Sequence, residues 1–96
     1  MSAIKVGDRV GCILDHDGHA VRFFGYGVYR GMFIPGPDAV AFAAMCRDAG
    51  RANPKIELDT GEVVWGGECW WAAEEQVRRA IQHAVIIPAF RSDLEK

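Results

Sequence analysis

Ninety-six residues, half of them apolar, suffice for one hydrophobic core of ordinary size and are too few for two. A quarter of the chain is charged and the formal net charge is −2, so neither the basic excess of a duplex-binding protein nor the acidity of a disordered tail is present. The longest apolar runs, at 39–46 and 85–87, fall well short of the roughly 18 to 20 residues of a membrane helix, and "MSAIKVGDRV" has no apolar centre of a signal peptide. A single cytoplasmic domain over 1–96 with no membrane partner is the resulting expectation.

In chain order, "IKVGDRVGCILD" alternates Val10, Cys12 and Leu14 against Arg9, Gly11 and Ile13, which predicts a strand over 9–14. "DHDGH" reads as a turn. "AVRFFGYGVYRGMFIP" is aromatic and β-branched but is cut by Gly25, Gly27 and Gly31, a density that predicts bulges and strong bending in the strand region 4–34. A helical insertion over 37–50 follows, with a helix at 38–49 opened by Pro37 and Asp38 and closed by Gly50. Phe42, Met45, Cys46 and Ala49 share one face of that helix, predicting a lid that packs Phe42 and Met45 onto the barrel, the alternative being a mobile flap over a ligand with "GPD" and "GRANP" as its hinges.

"NPKIELDTGEVVWGGECWW" predicts a hairpin over 55–71, turning at "DTG". Straight alternation places Trp65, Cys69 and Trp71 on one side and Trp70 on the other, whereas a bulge at Gly66-Gly67 exchanges the two tryptophans. A second helix within 73–84 sets Val77, Ala80, Ile81 and Ala84 on one stripe and spaces Glu74 with Arg78 and Glu75 with Arg79 for surface ion pairs. "VIIPAF" predicts a short closing strand held to an edge by Pro88, followed by a frayed tail. The fold class is mainly β with two helices (α+β): a small SH3-like bent antiparallel barrel with a helical insertion and a C-terminal helix.

Chemistry is sparse in this pattern. "GYGVYRG" has glycines spaced one residue too long for a dinucleotide fingerprint, and no helix follows it. Three cysteines with no C-x-x-C, and His16-x-x-His19 alone, predict reduced thiols and no metal site. Ser2 and Ser92 sit near the ends, Cys69 and His83 have no local activating feature, and no two carboxylates stand out, so no catalytic residue and no cofactor are expected. Binding chemistry remains. Tyr26, Tyr29, Trp70 and Trp71 offer stacking surfaces, while Arg30, Lys55, Arg78 and Arg79 offer positive charge beside Glu68.

"GYGVYRGMFIP" together with "NPKIELDTGEVVWGGECWW" resembles small, mostly uncharacterised proteins of bacteriophages and their bacterial hosts that share the Gly-Tyr-Gly stretch and an acidic-Cys-Trp-Trp ending. The likeness covers roughly half of the chain. Relatives of that kind carry a cysteine at the position of Gly67, so a Cys-x-Cys pair is missing here. The resemblance implies a phage or prophage protein that inhibits host defence by occupying something, either a defence protein's surface or a nucleotide-derived signal held between protomers. The combined expectation is a non-catalytic, homo-oligomeric binder of a small anionic or nucleotide-type ligand. A protein-binding inhibitor or adaptor of a host defence complex is the alternative, with an SH3-like nucleic-acid-binding module after it and duplex nucleic acid disfavoured.

Overall fold

The computed structural model describes residues 4–39 and 41–95. Ser2, Val40 and Lys96, which sequence places in the N-terminal end, the helical insertion and the tail, lie outside them. Strand β1 (Arg9–His16) turns into β2 (Ala20–Phe33), and the two pair antiparallel. Asp17 closes the turn twice: its N–H donates to Ala20 O and its Oδ1 accepts the Ala20 N–H, each at 3.0 Å. Phe24 is an extra residue on β2 and Leu14 an extra residue on β1, so the two register slips cancel. Arg30 is extra against the next strand, β3 (Asn53–Leu58). These bulges fall beside Gly25 and Gly31, both at positive φ, in agreement with the bent strand that the glycine density predicts.

β3 pairs with β4 (Val63–Trp65) across a turn in which Gly61 N–H donates to Leu58 O at 2.8 Å. Beyond Trp65 the predicted hairpin arm does not continue. A 3₁₀ turn at Gly66–Glu68 carries the chain to β5 (Trp70–Ala73), which pairs with β1 instead of β3. The strand order is β4-β3-β2-β1-β5, so one short turn joins the two outer strands of that path. Laid flat, those strands would stand about 19 Å apart, four spacings of ~4.8 Å, and three 3₁₀ residues advance only about 6 Å. The sheet must therefore curl until its edges meet, which makes it an SH3-like barrel, mainly β with two helices. The last strand, β6 (Val85–Pro88), adds in parallel beside the first half of β2, with its own side chains exposed.

Apolar residues pack on both faces of the sheet, a departure from the single core that composition suggests. Inside the barrel lie Val10, Cys12, Phe24, Ile56, Leu58 and Val64. Outside it, Ile13, Val21 and Ala72 meet Val77 and Ile81 of helix α2 (Glu74–Ile81). Gly11 makes that second layer possible, because a Cβ there would stand 2.8 Å from Val77 Cγ1. Helix α1 (Ala41–Asp48) is shorter than predicted and turns Ala43 and Cys46 inward. The predicted apolar lid face holds at Cys46 and fails at the residues meant to pack: Met45 is 69% exposed and Phe42 42% exposed, with only the Phe42 ring edge resting over Gly67. The helix end matches the sequence reading. Gly50, at φ +66°, sends its N–H to Arg47 O at 3.1 Å while Arg51 N–H reaches Cys46 O at 2.8 Å, a Schellman closure. The "GPD" segment is tied back by Arg47 Nη1, which donates to Pro37 O at 3.0 Å.

The tail is also not frayed. Residues Arg91–Glu95 form a 3₁₀ helix, Leu94 packs on the barrel core, and Arg91 ends on the crossover turn. There Arg91 Nη1 and Nη2 donate to Glu68 Oε1 and Oε2 at 2.8 and 3.1 Å, and Nη1 also donates to Val63 O at 3.2 Å. Glu68, whose side chain is 1% exposed, accepts the Trp65 N–H as well, at 3.1 Å. Removing one partner of a buried pair leaves an uncompensated charge, so Arg91→Ala should cost about 3 kcal/mol in urea unfolding, and Glu68→Met with Arg91→Met should recover only part of it, because the Trp65 N–H loses its acceptor. Gly27→Ala should be of similar severity, about 3 kcal/mol at the upper end of overpacking, because its Cβ would lie 2.7 Å from Leu58 Cα. Gly36→Ala, with nothing within 4 Å of the added atom, is the control and should shift stability by under ~0.5 kcal/mol.

Candidate functional site

The β1–β5 register decides the fate of the adjacent tryptophans. Trp71 stands opposite Cys12 and Trp70 opposite Ile13, so the first shares the barrel interior and the second shares the outer face beneath α2. Trp71 packs at 5.3 Å from the Tyr29 ring, tilted by 34°. Gly66 is needed for this packing, since a Cβ there would approach Trp71 Nε1 to 2.6 Å and Pro54 Cγ to 2.7 Å. Trp70 lies at the uncovered end of the outer layer and is 49% exposed.

Beside Trp70 opens a cleft of about 550 Å³ between the end of β1, the start of β5 and the end of α2. The buried Ile13, Val21 and Ile81 line it together with the half-exposed Trp70 and with Ala80 and Ala84. Alanine at position 80 of α2 and at position 84, in the bend that follows the helix, leaves open the space that longer side chains would fill. The bulged Leu14, with Asp15 and His16, completes the lining, which is mostly apolar with a few polar groups, as in small-molecule sites. Asp15 is braced by Arg22: Nε donates to Oδ1 at 2.7 Å and Nη2 contacts Oδ2. The hydrogen bonds from Arg22 hold the Asp15 carboxyl below the usual carboxylate range.

The other residues named from sequence are dispersed. Tyr26 faces outward, edge-on to Phe23 at 5.0 Å and under the Arg78 guanidinium at 4.7 Å, while Tyr29 faces the barrel interior, so the two cannot stack on one ligand. Arg30 is paired with Glu57 at 2.8 Å. Arg78 is paired with Glu74 at 3.5 Å, whereas Arg79 is exposed and makes no ion pair among the described residues, contrary to its predicted pairing with Glu75. Lys55 lies 5.3 Å above the Phe33 ring and borders a separate depression of about 290 Å³ with Trp65 and Arg91. Glu68 is not available to a ligand, because its carboxylate is buried and taken by Arg91 and the Trp65 N–H. Of the nine residues proposed from sequence, Trp70 is the one that borders the larger cleft.

All three thiols are free. The Cys12 thiol is pushed up by its contact with Cys69 and by burial, which leaves no thiolate nucleophile at that position. Among the described residues no three His, Cys, Asp or Glu side chains are grouped to hold a metal ion, and no helix is long and apolar enough to cross a membrane. The residues that sequence reasoning did not join are Ile13, Leu14, Asp15 and His16 on one side and Ala80 and Ala84 on the other. Their one local signal is the pair of alanines spaced by four on the stripe predicted within 73–84, of which Ala80 is in α2 and Ala84 in the bend after it. Comparison of the chain with family models, with curated proteins and with solved structures gives no match.

Proposed function

We propose that this protein is a non-catalytic binding domain that holds a small, planar, ring-bearing ligand in the cleft against Trp70. The observation that carries this reading is the exposure of Trp70 at the wall of an apolar hollow, while Trp65 and Trp71 are packed away. A flat ring entering there gains an aromatic face from Trp70 and apolar contact from Ala80 and Ala84. Stacking on an aromatic side chain contributes about 1 to 3 kcal/mol per base, enough to orient a nucleobase or a similar heterocycle. The titratable groups in the lining are Asp15, tied to Arg22, and His16, and no hydroxyl or thiol nucleophile borders the cleft with them. In the phage setting implied by the sequence likeness, such a domain acts by sequestration, keeping its ligand from another receptor.

A second reading is favoured by one observation. Ala84 leads directly into β6, where Val85, Ile86 and Ile87 are all exposed, so apolar surface continues from the cleft onto an edge strand. A partner protein that seats one apolar side chain beside Trp70 would use both surfaces.

A thermal-shift and calorimetric screen of free nucleobases, nucleosides and indole derivatives separates these readings. At least one planar compound should raise the melting temperature by mass action. Trp70→Ala should weaken that binding about tenfold or more while leaving the chain folded, at a cost of about 1 to 2 kcal/mol for the buried half of the ring. No binding by any ring compound at millimolar concentration would overturn the small-ligand reading. Under the protein-partner reading, Ile86→Lys abolishes partner binding, whereas under the small-ligand reading it leaves ring binding unchanged.

A further inference from the structure

We infer that the cleft selects its ligand by charge, accepting neutral or positively charged ring compounds and rejecting those that carry a phosphate or carboxylate into the mouth. This rests on the reading of the Trp70 cleft as a small-ligand site. Three features converge on it. No lysine or arginine is among the lining residues. The charged side chain in the lining is Asp15, whose two carboxylate oxygens each retain acceptor capacity after binding Arg22. The third feature is the C-terminal end of α2, where Ala80 and Ile81 line the cleft and the last carbonyls concentrate the negative end of the helix dipole.

The cations nearest in sequence do not cancel this bias. Arg22 is held by Asp15, and Arg78 is held by Glu74 and Tyr26. Arg79 is exposed on α2 and is not among the lining residues. In the β1–β2 segment 15–22, two carboxylates, Asp15 and Asp17, stand against one guanidinium, Arg22. A ligand whose ring stacks on Trp70 therefore meets acceptors at the mouth, suited to an amine or ring N–H donor. The basic residues proposed from sequence to receive a phosphate are elsewhere: Lys55 borders the other depression and Arg30 is tied to Glu57.

A matched series with one ring tests the inference: tryptamine, 3-methylindole and indole-3-acetate, each titrated calorimetrically into the full chain at low ionic strength and again in high salt. Tryptamine should bind about fivefold to tenfold more tightly than indole-3-acetate at low salt, with the ratio shrinking in high salt. Asp15→Asn frees Arg22 and should bring the ratio of tryptamine to indole-3-acetate affinity to about one or invert it. Indole-3-acetate binding as tightly as tryptamine to the wild-type chain would overturn charge selection and leave the cleft reading standing. Failure of all three to bind overturns both.

Discussion

The structure depends on the crossing between the two outer strands of the curled sheet at Gly66–Glu68. A 3₁₀ turn of three residues joins β4 at one end of the path to β5 at the other, so the sheet cannot open without breaking that turn. The turn itself has few apolar anchors. It is held by the Glu68 carboxylate, which gathers the Trp65 N–H before it and the Arg91 guanidinium from the chain's last 3₁₀ helix. A buried pair of this kind gives little net stability relative to an apolar replacement, but it satisfies donors that an apolar residue would leave unpaired. It also locks the C-terminal segment, so Leu94 can pack on the barrel.

The direction of the chain after this crossing determines what the tryptophans do. Leaving the turn, β5 runs beside β1 with alternation intact, so Trp71 joins the interior with Cys12, and Trp70 and Ala72 go outside with Ile13. Ala72 is then covered by α2 and Trp70 is not. The eight residues of α2, about 12 Å of helix, do not close the cleft beside Trp70, and the alanines at 80 and 84 keep it open. The hollow is thus a product of helix placement and small side chains together, and filling either alanine position would extend the outer core over Trp70.

Much of the architecture is legible in the sequence because it is encoded by local chemistry. The 3.6-residue stripe of Val77 and Ile81, the Gly50 cap, the "DTG" turn and the glycine-bent second strand all appear where their residue types require. What sequence does not show is pairing at a distance. The run from Val63 to Trp71 reads as one strand, and its division between β4 and β5 depends on the partner each half finds, not on its own composition. Phe42 and Met45 fall on a predicted apolar face with Cys46 because period alone cannot say that the inward face is centred between Ala43 and Cys46. The tail reads as polar and loose because Arg91 acquires its meaning only from Glu68, 23 residues earlier. Strand alternation could have separated Tyr26 from Tyr29, since an odd spacing sends them to opposite faces in the absence of a bulge.

The dispersal of the basic residues has a physical cause in the same alternation. Arg9, Arg22 and Arg30 project from strands or bulges whose outward neighbours include Asp59, Asp15 and Glu57, and each guanidinium is engaged by the carboxylate across from it. Such exposed pairs contribute little individually, yet they use the donors that a phosphate would need. Arg9 also reaches Glu74 at the start of α2, so the pair network runs from the β3–β4 turn to the helix on one side of the barrel. A net charge of −2 therefore conceals a surface in which the strand arginines are already matched. On the reading proposed for the Trp70 cleft, binding energy would come from ring burial and not from a free strand arginine.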